Sequence, residues 1–229
     1  MPTRALVFDF DGTLADTESA VLRSWRELFR EHGVELPMEA WYAVIGTQHT
    51  TPAMFALLAE HVPDVDPEAL RPRTRARVFE LLETLGPREG VRSYLDAAKD
   101  LGLALAVASS SSGAWVRPHL DRLGLAGYFD AVLTGDRHRA KPDPDLYLAA
   151  LDALGTRAEE TIAFEDTPHG VTAAKAAGLT CVAVPNAITE RLDFGQADVV
   201  LPSFTAKPLE ALLTRRAAPP AGPGTAAGL

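Results

Sequence analysis

Two acidic residues, Asp9 and Asp11, stand directly after a short apolar run near the start of the 229-residue chain. Side chains alternate along an extended strand, so both carboxylates point to the same side. Two carboxylates this close repel each other unless a cation lies between them or one of them holds a proton. The pair predicts either a cation site or, as the simpler alternative, a strand end followed by an Asp-Gly turn.

Polar residues also follow later apolar runs that have the pattern of strands. Ser109 begins a run of four serines after one of them, Lys141 lies a few residues beyond another, and Glu165 and Asp166 follow a third. In parallel sheets covered by helices, ligands bind beyond the carboxyl ends of the strands, so we expect these side chains to converge. The acids suit Mg²⁺, and the hydroxyl cluster, loop amides and lysine suit a phosphate group.

Alternating helices and strands in the second half of the chain must position these residues. The predicted strands are 103–108, 131–134, 161–165, 180–184 and 198–201, and the predicted helices are 91–101, 113–123, 145–154 and 170–177. Apolar strands between helices indicate a parallel sheet covered on both faces. The predicted fold class is therefore α/β, with a Rossmann-like parallel sheet and helices on both faces.

The segment between the first strand and this alternating region has only helical patterns. Helices are expected from Asp16 or Thr17 toward His32 and at 39–45, 52–60 and 67–85. We predict a discontinuous α/β core of residues 1–14 and 88–216, an inserted all-helical domain of residues 15–87, and a disordered tail at 217–229 that is rich in Ala, Pro and Gly.

Composition limits the partners and the compartment. The net charge of −9 argues against a nucleic-acid partner, because affinity for polyanions comes mostly from Lys and Arg. Cys181, the only cysteine, lies in an apolar run, and we expect it in the core. No apolar run is long enough for a membrane span, and no leader pattern precedes the first strand. We expect a cytoplasmic monomer with no membrane partner.

Four motifs carry a family resemblance: FDFDGTLADTE, VASSSS, AKPDPDLY and FEDTPHG, in this order, with AGYFDAVLTGD as a further familiar stretch. With them the chain resembles the haloacid dehalogenase superfamily, in the helical-cap group that contains β-phosphoglucomutases and phosphoglycolate phosphatases. The resemblance covers nearly the whole chain before the tail, and motifs of this length and order are specific.

The resemblance implies a role for each motif residue. Asp9 is the expected nucleophile, which forms an aspartyl-phosphate, and Asp11 is the expected acid and base. Ser109 and the loop amide of Ser110 are expected to hold the phosphoryl oxygens. Lys141 is expected to neutralise negative charge on the nucleophile and the transferring group.

The resemblance also implies Mg²⁺ as the cofactor. Its expected ligands are the carboxylate of Asp9, the backbone carbonyl of Asp11, and Asp166, with Glu165 bound directly or through water. The positive charge of the metal would also offset the repulsion between the acidic residues.

The inserted helices would then be a cap that closes over the site and selects the leaving group. The sugar-phosphate mutases of this family carry a histidine four residues after the position of Thr17, where this chain has Val21. They carry an arginine three residues after the position of Gly46, where this chain has His49. Both differences count against mutase chemistry, and His49 is a candidate substrate contact or a surface histidine.

Four arginines at 71, 73, 75 and 77 resemble an anion patch, but their spacing spreads them around a helix, and we expect a solvated surface. The expected function is that of a Mg²⁺-dependent phosphatase, a phosphoric monoester hydrolase acting on a small phosphorylated metabolite such as a sugar phosphate. The alternatives are a phosphomutase of the β-phosphoglucomutase type and a protein that binds a phospholigand without catalysis.

Overall fold

The computed structural model describes residues 2–45 and 49–215. In chain order its elements are β1 (Ala5–Phe8), α1 (Thr17–Glu31), α2 (Met38–Tyr42), α3 (Thr50–His61), α4 (Pro67–Glu83), α5 (Val91–Asp100), β2 (Ala104–Ser109), α6 (Gly113–Arg122), β3 (Ala131–Thr134), α7 (Asp145–Leu154), β4 (Thr161–Glu165), α8 (Pro168–Ala176), β5 (Thr180–Ala183), β6 (Val199–Val200) and α9 (Leu209–Arg215). Two short 3₁₀ turns lie at Ala126–Tyr128 and Ala158–Glu160.

The six strands form one parallel sheet in the order β3-β2-β1-β4-β5-β6. The first strand of the chain is therefore central, with β2 on one side and β4 on the other. Val7, for example, is in register with Ala106 of β2 and Ala163 of β4. The predicted fold class is confirmed.

Both faces of the sheet are buried, and β1 shows why its sequence is continuously apolar. Leu6 and Phe8 point into one apolar cluster, and Val7 points into another on the opposite face. All of these side chains are fully buried. Since a parallel sheet is covered by helices on both sides, neither face of a central strand tolerates polar residues until the strand ends.

Helices α1 to α4 form the insertion between β1 and α5, and they have an apolar cluster of their own. Trp25, Phe29, Trp41 and Leu58 are buried in it. Helix α1 begins as expected, because the Asp16 carboxylate accepts a hydrogen bond from the amide of Ser19. The division into a core of residues 1–14 and 88–216 and a cap of residues 15–87 remains our proposal.

The observed elements differ from the prediction in a few places. The helix expected at 39–45 ends at Tyr42, and α9 was not predicted. Cys181 is buried in β5, as expected. In the described parts of the chain, the helices all fall short of the length and apolar content that a membrane crossing requires. The tail at 217–229 lies outside the described residues.

Candidate active site

The sheet order brings the predicted site residues to one edge. Asp9 follows β1, Ser109 ends β2, and Glu165 ends β4. Since β1 lies between β2 and β4, its acidic residues lie between the serine loop on one side and the acids of β4 on the other. This placement follows from the order of the strands in the sheet, which local sequence patterns do not show.

Lys141 forms the closest contact with Asp9. Its ammonium nitrogen lies 2.5 Å from Oδ1 of Asp9 and 2.6 Å from Oε1 of Glu165, and all three side chains are almost fully buried. Burial by itself lowers the pKa of Lys141, but the two carboxylates outweigh it and hold that pKa above its usual value. The hydroxyl of Ser110 accepts a hydrogen bond from the Lys141 amide at 3.1 Å and so helps to place this lysine. Lys141 is a fixed positive charge beside the predicted nucleophile.

Asp9, Glu165 and Asp166 form a buried acidic cluster, with one carboxylate oxygen of each within 4.8 Å of the others. Oδ2 of Asp9 and Oε2 of Glu165 are buried and have no hydrogen-bond partner among the described residues. Burial raises the pKa of Asp9, and Lys141 opposes this only in part. Burial also raises the pKa of Asp166, and the charges of Asp9 and Glu165 add to the effect. Unpartnered, buried carboxylate oxygens fit a hard divalent cation such as Mg²⁺.

Two glycines allow the backbone to pass close to this cluster. Gly12 has a positive φ of 81°, and a Cβ at this position would lie 2.0 Å from Oδ2 of Asp166. A Cβ at Gly170 would lie 1.9 Å from Oε2 of Glu165. Neither position has room for a side chain, so both glycines are required by the packing of the acids.

The two oxygens of Asp166 are held by other side chains. The hydroxyl of Thr13 donates to Oδ1 at 3.2 Å, and the side-chain amide of Asn186 donates to Oδ2 at 2.8 Å. Asn186 also contacts the carbonyl oxygen of Gly12 at 3.4 Å. These bonds orient Asp166 toward the cluster, as a ligand of a bound cation requires.

Asp11 lies beside this cluster but has a different environment. Its Oδ1 accepts hydrogen bonds from the Thr17 hydroxyl at 2.9 Å and from the indole nitrogen of Trp115 at 2.8 Å. Its Oδ2 accepts one from the Ser111 hydroxyl at 2.6 Å, with the Ser109 hydroxyl at 3.4 Å. These neutral donors fix the orientation of the Asp11 carboxylate, and the predicted roles of Asp11 in proton transfer and, through its carbonyl, in metal binding stay predictions.

A cavity of about 610 Å³ opens above these residues, between the sheet edge and the inserted helices. The core contributes the acids, the serine loop and Lys141. The insertion contributes Glu18, Val21, Trp25, Thr51, Phe55, Arg71 and Arg75. The cavity is large enough for a small metabolite, and its outer wall belongs to the insertion.

The structure divides the four arginines of α4 into two pairs. Arg73 and Arg77 bond to the α1 carboxylates of Glu31 and Glu27, on the side where α4 packs against α1. Arg71 and Arg75 line the cavity instead. Arg71, Arg73 and Arg75 are exposed, as expected for a solvated surface, but Arg71 and Arg75 also line the cavity, which the sequence did not predict.

Sequence reasoning missed several residues of the site. Asn186 could have been found, since it follows β5 just as the predicted residues follow their strands. Glu18 lines the cavity and belongs to the first motif, but it received no role. Trp115 and Arg88 gave no local signal, because their importance comes from contacts with Asp11 and Gly12 that are distant in sequence. His49 directly precedes α3 and is exposed, and its predicted substrate contact stays a prediction.

Comparison with known proteins identifies the family. A family model described as haloacid dehalogenase-like hydrolase matches residues 6–184. The chain belongs to the haloacid dehalogenase-like hydrolases. The predictions of this family and of a hydrolytic enzyme are confirmed.

Three relatives of this hydrolase illustrate the likeness. The YhcW protein of Bacillus subtilis is 42% identical over 212 residues, which cover 92% of this chain and 96% of YhcW. The fructose-1-phosphate phosphatase YqaB of Escherichia coli is 35% identical over 184 residues, which cover 78% of this chain and 95% of YqaB. A crystal structure of a CbbY mutant from Rhodobacter sphaeroides, in complex with xylulose-(1,5)bisphosphate, is 29% identical with a TM-score of 0.71, covering 89% of this chain and 95% of that one.

Proposed function

We propose that this hydrolase is a Mg²⁺-dependent phosphatase that hydrolyses a small phosphate monoester through an aspartyl-phosphate on Asp9. One observation carries the proposal. Asp9 lies at the floor of the cavity with Lys141 2.5 Å from one of its oxygens, and its other oxygen faces no hydrogen-bond donor among the described residues. That arrangement offers a nucleophile, a fixed positive charge and room for a cation at one point.

The proposed reaction has two steps. In the first, a carboxylate oxygen of Asp9 forms a bond to phosphorus, the bond from phosphorus to the ester oxygen breaks, and Asp11 gives a proton to the departing alcohol. In the second, water attacks the phosphorus, Asp11 takes a proton from that water, and the bond between Asp9 and phosphorus breaks. Inorganic phosphate leaves, and both aspartates return to their starting state.

The other residues act by electrostatics and position. The ammonium group of Lys141 neutralises charge that would otherwise repel the approaching phosphate from the acidic cluster. Ser109 is buried at the end of β2, and its hydroxyl accepts a hydrogen bond from the Ser111 amide at 3.1 Å, which fixes the serine loop around the expected phosphate position. We propose that the Ser109 hydroxyl and the Ser110 amide hold the phosphoryl oxygens.

Mg²⁺ would be held by Asp9, Asp166, the carbonyl of Asp11, and Glu165 either directly or through water. When bound, it supplies positive charge to the phosphoryl oxygens and the nucleophile. The buried acids support this proposal, because without a cation their mutual repulsion and desolvation favour the protonated, non-nucleophilic form of Asp9.

The substrate class that we propose is a sugar phosphate or a similar metabolite. YqaB acts on fructose 1-phosphate by its name, and CbbY was crystallised with a sugar bisphosphate. The cavity of this chain has a size that suits such molecules, and Arg71 and Arg75 add positive charge on its outer wall. The expectations of a monomer and of a cytoplasmic location stay predictions.

A phosphomutase is the nearest rival, since a mutase passes through the same aspartyl-phosphate. It must protect that intermediate from water while a bisphosphate reorients, and polar contacts from the cap are needed for that. Val21 lines the cavity with an apolar side chain where the mutases have a histidine. This observation favours hydrolysis.

A panel of phosphate monoesters, scored by released phosphate in the presence of Mg²⁺, tests the proposal. We expect release from at least one sugar phosphate. A second assay uses β-glucose 1-phosphate with a trace of the 1,6-bisphosphate and follows glucose 6-phosphate and free phosphate together. Isomerisation that exceeds phosphate release about a hundredfold would establish that the protein is a mutase. No phosphate release from any ester of the panel would favour the hypothesis of a protein that binds a phospholigand without catalysis.

A further inference from the structure

Trp115 has a contact that neither the family motifs nor the proposed reaction uses. It lies near the start of α6, directly after the serine loop, and its indole nitrogen donates a hydrogen bond to Oδ1 of Asp11 at 2.8 Å. We propose that Trp115 is a positioning residue for Asp11 and that it makes the orientation of this acid depend on the position of helix α4. The inference rests on the proposed function, in which Asp11 transfers the proton.

The chemistry of the indole determines what this bond does. An indole nitrogen only donates and does not titrate, so the oxygen that it contacts must act as an acceptor. The Thr17 hydroxyl donates to the same Oδ1 at 2.9 Å. Within the described parts of the chain, the hydrogen-bond partners of Oδ2 are serine hydroxyls, which can donate or accept. The proton that Asp11 gives to the leaving alcohol is therefore assigned to Oδ2, and Trp115 holds the carboxyl group in that orientation.

The other side of the indole packs against the insertion. The ring of Phe79, from α4, lies 5.4 Å from the Trp115 ring at an angle of 66°. Trp115 also packs against the apolar cluster of Ala20, Val78 and Leu82, of which Val78 and Leu82 belong to α4. One side chain of the core thus contacts both the proton donor and the inserted helix.

His119 completes this contact from within α6. Its ring lies 4.5 Å from that of Trp115 and 5.4 Å from that of Phe79, so the indole is held between neighbours on two elements. Because a hydrogen bond weakens steeply when its length or angle changes, a movement of α4 that shifts the indole also changes the bond to Asp11. The hydroxyl groups of Thr17 and Ser111 also hold this acid, and the indole makes part of its orientation depend on the position of α4.

The test compares two esters that differ in how much they need an acid. Fructose 1-phosphate releases an alkoxide that must be protonated, whereas p-nitrophenyl phosphate releases a phenolate that is stable as an anion. We measure kcat/KM, which reports the first chemical step, for the wild type and Trp115→Phe. The variant keeps an aromatic ring but has no donor. We expect a loss of about tenfold with fructose 1-phosphate and of less than about threefold with p-nitrophenyl phosphate.

Trp41→Phe is the matched control. Trp41 is buried within the insertion, and its indole nitrogen has no hydrogen-bond partner among the described residues. The same substitution there is expected to change both kcat/KM values equally and by less than about twofold. Melting temperatures of both variants show whether either has lost its fold.

Phe79→Leu tests the link to the insertion, because it removes the ring that packs on Trp115 and leaves the indole donor in place. We expect the same preference for the aryl ester, with a smaller loss for fructose 1-phosphate. Equal losses on the two esters in Trp115→Phe would overturn the positioning role, and equal losses in Phe79→Leu would overturn the link to α4. If the wild type does not hydrolyse fructose 1-phosphate, the sugar phosphate of the panel that it hydrolyses fastest takes its place. A wild type that hydrolyses no ester of the panel would overturn the proposed function, whereas equal losses in the variants of an active enzyme would overturn this inference alone.

Discussion

The Nη1 atom of Arg88 lies 2.7 Å from the carbonyl oxygen of Gly12, although 76 positions separate the two residues in the chain. The same guanidinium donates to the carbonyl oxygens of Val184 at 2.8 Å and Pro185 at 2.7 Å. Burial lowers its pKa, and the charges of Asp166 and Asp16 oppose that effect. Arg88 therefore ties the turn after the first strand to the segment after β5.

Replacement of Arg88 by Met is expected to destabilise the protein, because three carbonyl groups lose a donor. We expect a decrease of about 2–4 kcal/mol in the free energy of unfolding, measured by urea denaturation, together with a lower kcat/KM as the Gly12 turn loosens. Arg117→Met is the control, since Arg117 is exposed and contacts one carbonyl, that of Val132, at 3.2 Å. Equal decreases in the two variants would show that Arg88 has no special structural role.

Replacement of Asp9 by Asn is expected to abolish turnover while the fold stays intact. An amide fills the same volume but does not attack phosphorus, so we expect a loss of at least about a thousandfold in kcat. Metal-free stability should not fall, because one member of the acidic cluster loses its charge. Mass spectrometry excludes deamidation back to aspartate. Activity within tenfold of the wild type would contradict the covalent mechanism.

Chelation of divalent metals is expected to stop phosphate release and to lower the melting temperature. A ligand that binds only the folded state stabilises it by an amount that increases with the ligand concentration relative to Kd, so added Mg²⁺ should restore both properties. Ca²⁺ should restore the melting temperature but not the activity, since its larger and more variable coordination shell can engage both oxygens of Asp9. Full activity in chelator, with metal shown to be absent by elemental analysis, would contradict the proposed cofactor.

The two pairs of α4 arginines allow two substitutions that remove the same charge at different positions. Arg75 lines the cavity and stacks on Phe79 with its guanidinium carbon 5.6 Å from the ring, whereas Arg73 pairs with Glu31 on α1. We expect Arg75→Gln to raise KM for a sugar phosphate by about fivefold at low salt, and Arg73→Gln to change it by less than about twofold. Equal effects of the two substitutions would mean that only the net charge matters.

The cavity carboxyl of Glu18 predicts a pH dependence of stability. Burial, followed by the charges of Asp11, Asp9 and Asp16, raises the pKa of Glu18 to about 8 in the folded protein, from a usual value of 4.5. An acid with a raised folded pKa favours the folded state below its unfolded pKa, and this contribution is lost as the pH rises from 4.5 through about 8.

Glu18→Gln should therefore flatten this dependence. In chelator, we expect the variant to melt several degrees above the wild type at pH 9 and close to it at pH 4.5. Thermal melts across this range provide the measurement. Wild-type and variant curves that run parallel at every pH would show that Glu18 titrates normally.

The amino-acid sequence by itself determined the fold class and the residues at the strand ends. Apolar runs in β1 and β4 end at Asp9 and Glu165, and these acids are therefore visible as strand ends. Helix boundaries such as that at Asp16 follow from local capping, which acts within a few residues. These features depend on short stretches of the chain, so they can be predicted without knowing how distant segments pack.

Tertiary structure alone decided which side chains meet. On α4, a rotation of 100° per residue groups Arg71 with Arg75 and Arg73 with Arg77, but only the packing of α4 on α1 determines which pair faces the cavity. The contact of Trp115 with Asp11 depends in the same way on the placement of β2 beside β1. Contacts between residues far apart in the chain come from the packing of whole elements, and no short motif records that packing.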